Sequence, residues 1–137
     1  FAPNATDIVM FDANGQMIRA LTPSKTRMEL TDWSPDGKRL ALNVSAAPGG
    51  IVVYSLDQGR YEQLTSQGAD PAWANNETVV FANVNKLSSV NVRTRQVRDV
   101  IATAPDLLGG LAFTSDRHWL YYWRGPREAD IWIATMK

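Results

Sequence analysis

Trp33, Trp73 and Phe113 lie forty residues apart, twice over, and each opens a stretch that reads as two short strands around a polar turn. A fixed period of about 40 residues between strand-rich, aromatic-led units is the signature of repeated β architecture, in which no single unit buries its own apolar face. That period governs the rest of the reading.

In register, Trp33-Ser34-Pro35-Asp36-Gly37-Lys38-Arg39-Leu40 aligns with Trp73-Ala74-Asn75-Asn76-Glu77-Thr78-Val79-Val80 and with Phe113-Thr114-Ser115-Asp116-Arg117-His118-Trp119-Leu120. Pro35 presets φ and Gly37 permits positive φ, so the first copy has complete turn chemistry. Asn76 and Asp116 stand in the place of Asp36, while Glu77 and Arg117 replace the glycine. Each hairpin is followed by a β-branched or aromatic run: Ile51 to Leu56, Leu87 to Val92, and Ile131 to Ala134. The first two lead into a fourth strand, around Tyr61 to Thr65 and Val97 to Ile101. Four strands per repeat make a propeller blade.

One more pair of strands precedes the first aromatic, Ile8 to Phe11 and Met17 to Thr22, around Asn14-Gly15, a hairpin cue. With strands lettered a to d from the axis outwards, residues 1–25 supply c and d of a first blade and 26–66 a second. Residues 67–103 supply a third blade and 104–137 strands a to c of a fourth. The fold class is therefore all-β, a β-propeller portion of about three four-stranded antiparallel blades. It is either incomplete or completed by association of two copies through the open blade faces. A start at Phe1 rather than Met fits a piece of a longer protein.

Fourteen basic residues balance fourteen acidic ones, which leaves no global field to draw in nucleic acid or an anionic surface. No cysteine is present to form a disulfide framework or a thiolate zinc site, and no apolar run is long enough for a membrane helix. The expected partner is protein or peptide, without nucleic acid or direct membrane insertion.

The string Trp33 to Leu42, with Ile51 to Tyr54 and Gln63 to Thr65 downstream, resembles the WD40-like PD40 repeat of TolB-type β-propellers. The resemblance implies a non-catalytic binding or scaffold module in the periplasm or another extracytoplasmic site of a bacterium. Related blades serve as accessory gating propellers of prolyl-oligopeptidase-like peptidases, or as ligand-sensing domains of kinases and transcriptional regulators. The catalytic domain of such a peptidase is not in this sequence, which has no Gly-x-Ser-x-Gly elbow and only one histidine.

That histidine, His118, sits at a turn exit where a polar residue serves solubility. The run Trp119 to Trp123 splits by strand alternation into Trp119, Tyr121 and Trp123 on one face and Leu120 and Tyr122 on the other. Its simplest role is core between blades, while Trp123, aligned with Asn43 and Asn83, is a candidate contact at the mouth. Lys86, Arg93, Arg95 and Arg98 lie on outer strands, where charge discourages edge pairing. Asp32 and Asp70, near the innermost strands, are candidate contacts that could also converge on an axial Ca²⁺; no other cofactor is expected. Leu107 and Leu108, in the connector from Ala104 to Gly110, either form a contact surface or tuck under the blade.

Overall fold

Short β-branched and aromatic runs between Gly, Asn and Asp turns fold this chain into twelve strands and no helix among the residues that the computed structural model describes, 7–21, 24–47 and 49–126. The first sheet pairs β1 (Val9–Phe11) with β2 (Met17–Ala20). The second runs β3 (Met28–Trp33), β4 (Arg39–Val44), β5 (Ile51–Ser55) and β6 (Arg60–Gln63) in sequence order. The third repeats that order with β7 (Ala69–Trp73), β8 (Thr78–Asn83), β9 (Lys86–Asn91) and β10 (Val97–Ala102). The fourth pairs β11 (Leu107–Phe113) with β12 (Leu120–Gly125). Every pairing is antiparallel, and the four sheets stack without closing into a ring, an incomplete propeller. The expected strand from Ile131 to Ala134 lies outside the described residues, as do Phe1 and Thr22.

The core sits between sheets. Ala41, Ile51, Val53 and Leu64 of the second sheet meet Trp73, Val79, Phe81 and Val90 of the third. Leu21 packs with Leu40, Leu42, Val52 and Tyr54 at the first junction, and Val80, Ala82 and Leu87 pack with Leu108 at the last. Fully burying side chains of this size contributes roughly 1.5–3 kcal/mol each, so the blades hold one another together.

The period-setting aromatic of each blade faces the blade before it. Trp73, paired with Val79, is 0% exposed against the complete second sheet. Trp33, paired with Leu40, is 41% exposed, with only the two-stranded first sheet before it among the described residues. Chemically similar positions thus differ by what precedes them.

Two turns depart from the sequence register. Ser34 N–H donates to Arg39 O at 2.8 Å and Thr114 N–H to Trp119 O at 2.9 Å, but Ala74 N–H donates to Thr78 O at 2.9 Å. The third blade's turn is therefore one residue shorter, and Thr78 corresponds to Arg39 and Trp119, not to Lys38 and His118. Asn75, rather than Asn76, does what Asp36 and Asp116 do: its Oδ1 accepts Glu77 N–H at 2.8 Å, as theirs accept Lys38 and His118 N–H at 3.0 Å. Glu77 needs no positive φ in the shorter turn, whereas Arg117 takes φ 60° where Gly37 takes 70°. The first hairpin is also wider than a two-residue turn. Asp12 Oδ1 accepts the N–H groups of Asn14 and Gln16, and Gly15 alone occupies the left-handed region, at φ 79°.

Candidate functional site

The chemistry-bearing groups gather where the innermost strands β3, β7 and β11 pass one another. Each of these strands carries a bulge shortly before its aromatic, between Leu30 and Asp32, Ala69 and Ala72, and Gly109 and Ala112. A bulge re-aims a side chain out of the ladder. Here it lets one blade's carboxylate reach the next blade's backbone. Asp32 Oδ2 accepts Trp73 N–H at 2.8 Å, and Asp70 Oδ2 accepts Gly110 N–H at 2.6 Å.

The two carboxylates then diverge. Asp32 also accepts Trp33 N–H at 2.8 Å and pairs with Arg117 Nη1 at 2.8 Å, the side chains being 23% and 22% exposed. Arg117 reaches back from the fourth sheet and donates further to Trp73 O at 2.9 Å and Trp33 O at 3.2 Å. One guanidinium thus joins three blades, and the Asp32 carboxylate is fully engaged. Asp70 accepts only from Gly110 and has no cationic partner among the described residues. It also holds φ 51°, at the bulge position where the fourth blade has Gly110 at φ 62°. Aspartate is one of the few non-glycine side chains that tolerate that region.

A cleft of about 540 Å³ opens between the third and fourth sheets, lined by Gly68, Ala69, Ala82, Val84, Leu107 and Trp123 among others, with Asp70 next to it in β7 behind Ala69. Its outer wall depends on two glycines. A Cβ on Gly109 would meet Trp123 Cζ2 at 2.9 Å and Asp70 Oδ2 at 2.7 Å, and one on Gly110 would meet Trp123 Cδ1 at 2.6 Å. Their bare backbone lets the indole lie across β11 with the Asp70 carboxylate close to its six-membered ring. Val84 and Trp123 remain 60% and 55% exposed.

The sequence-predicted positions distribute as follows. Leu107 and Leu108 belong to strand β11 rather than to a connector; Leu108 is buried against Val80 and Leu87, and Leu107 lines the cleft. Trp123 corresponds to Asn43 and, after the shorter turn, to Ala82 rather than Asn83. The aromatic run is not core between blades among the described residues. Leu120 packs on the third sheet, while Trp119 and Tyr121, 67% and 64% exposed, occupy the face that no described strand covers. Arg117 and the two glycines were not singled out by sequence reasoning; the replacement of a turn glycine by arginine was the available signal.

His118 lies at the opposite end of β12 from Trp123, exposed, with Nδ1 3.5 Å from Asp116 Oδ2. The Thr114 hydroxyl, then the His118 N–H, hold the Asp116 carboxyl below its ordinary value. The four basic residues on β9, β10 and their turn are partly paired. Lys86 bridges Asp99 at 2.7 Å, Arg95 bonds Glu62 across to the second sheet, and Arg98 donates to Gln96 at 3.1 Å. A second groove, of about 410 Å³, runs between the second and third sheets and carries mixed charge from Lys38, Asp57, Arg60, Glu62 and Arg93.

No family model matches this chain, and neither does any curated protein. Among solved structures it is similar to TolB from Acinetobacter baumannii, with a TM-score of 0.64 and 18% identity. The likeness covers 90% of this chain and 35% of that one, so the chain spans about a third of the length of the structure it matches. At that identity the likeness establishes a TolB-like propeller fold.

Proposed function

We propose that this chain is a non-catalytic binding module whose cleft between the third and fourth sheets receives a protein or peptide partner. The observation that carries this reading is an exposed apolar wall, Trp123 with Val84 and Leu107, near the half-buried Asp70 carboxylate. Aromatic anchors in a concave site with a few convergent polar groups are what a peptide contact uses. The TolB-like fold supports the same reading, and the proposal extends to a bacterial protein of the periplasm or another extracytoplasmic site. Fold alone does not assign a partner, so the site residues carry the argument.

Selection of a random twelve-residue peptide display library on the immobilised chain tests the proposal. Enrichment of related peptides that lose binding to Trp123→Ala, with the urea midpoint of that variant close to the parent's, is the expected result. No enrichment, or peptides indifferent to Trp123→Ala and Val84→Ser alike, would show that the cleft is not the binding surface.

A further inference from the structure

Within that binding reading, on which this inference rests, we infer that the cleft selects a basic side chain. The occupant is an extended peptide that places a lysine ammonium or arginine guanidinium on Asp70 and its alkyl stem along Trp123 and Leu107. Three independent features of the site converge on a cation.

The first is the unbalanced carboxylate. Asp32, one blade earlier, makes the same hydrogen bond to its neighbouring strand and is also neutralised by Arg117. Asp70 makes the bond to Gly110 and nothing else, so a half-buried negative charge stands without a counter-charge among the described residues. Charges in such positions are normally paired. The second is the backbone. Aspartate occupies a φ 51° bulge position that the next blade fills with glycine, so an acidic side chain stands at a position where the next blade has none.

The third is the wall. An indole within reach of the same point offers a negative π face, and tryptophan is the strongest aromatic partner for a cation. This chain already uses that contact internally, with the Arg39 guanidinium carbon 5.1 Å from the centre of the Trp73 ring. Trp123 stands at the cleft with no such cation over it among the described residues. The apolar lining from Ala69, Ala82, Val84 and Leu107 suits the methylene stem behind a charged head, which long basic side chains bury readily.

The test is a titration of the full 137-residue chain, followed through the Trp123 indole N–H resonance assigned by Trp123→Phe. The probes are the peptide Ac-Gly-Ser-Lys-Leu-Ser-Gly-NH₂ and its counterparts with Nε-acetyl-lysine or norleucine at the third position. The lysine peptide should shift the Trp123 resonance and bind about tenfold more tightly than either neutral counterpart, a ratio expected of one charge-assisted contact. Asp70→Asn, which keeps the left-handed turn tolerance and an acceptor for Gly110, should remove that preference while the urea midpoint stays near the parent's. Equal binding of all three peptides, or a lysine preference retained in Asp70→Asn, overturns the inference. If the lysine peptide leaves Trp123 unmoved while display-selected peptides still bind through Trp123, the cation falls and the peptide-binding reading stands; if neither binds, both fall.

Discussion

Arg117 allows the stacking of blades to be measured at a single side chain. Its guanidinium makes one ion pair and two carbonyl hydrogen bonds on two other blades. Hydrogen bonds to charged groups contribute roughly 1.5–3 kcal/mol each, but they do not add. Both side chains are partly exposed, and Asp32 keeps two N–H donors when Arg117 is cut back. Arg117→Ala should therefore destabilise by about 2 kcal/mol. Arg117→Gly removes the same contacts but relieves the left-handed strain at φ 60°. Allowing for the greater freedom of glycine in the unfolded chain, it should recover about 0.5–1 kcal/mol relative to alanine. Urea unfolding at constant m-value reads both differences, and a cycle with Asp32→Asn should give a coupling of about 1 kcal/mol. Arg117→Ala within about 0.3 kcal/mol of the parent would refute the clamp, since unremarkable surface substitutions already scatter about that much. Arg117→Gly no better than alanine would refute the strain.

Other outcomes follow from the same packing. Trp73→Ala should cost about 3–5 kcal/mol and Trp33→Ala less than half of that in urea unfolding, because Trp73 is fully buried and Trp33 is 41% exposed. Gly50→Ala should destabilise severely by the same measurement, since its φ is 114° and a Cβ would sit 2.2 Å from Thr65 O. The Asp36 carboxyl is held below its ordinary value, chiefly by the Ser34 hydroxyl and also by the Lys38 N–H and the charges of Arg39 and Lys38. A depressed folded-state value adds stability that is present above the unfolded value and is lost as pH falls through the folded one. Asp36→Asn should therefore leave stability at pH 7 lower and its decline below about pH 4 shallower, as followed by thermal unfolding across pH 2–7.

The blades were legible because their determinants are local. Pro35 and Gly37 make one turn, Asp116 another, and the unbroken apolar runs in β4, β5 and β8 mark strands buried on both faces within a few residues. The shorter turn after Trp73 was not legible, since Asn75 and Asn76 can each fold back on the backbone and only the hydrogen bond from Ala74 to Thr78 decides between them. Trp33 and Trp73 look alike in sequence, and their opposite exposures depend on how much blade stands in front of each. The clamp joins residues 85 positions apart, and the cleft needs the bare backbone of Gly109 and Gly110 to seat Trp123. Such contacts arise from one blade meeting the next, which a periodic pattern announces without specifying which side chains cross.

Photo-crosslinking in cells reads out whether the cleft near Asp70 receives a protein or peptide partner. The chain would carry benzoyl-phenylalanine in place of Val84 at the cleft or of Val100 on the outer strand, positions 60% and 53% exposed. Protein adducts at position 84, with none above background at position 100, are the predicted result. Equal labelling at both positions, or no adduct above background at position 84, would contradict it.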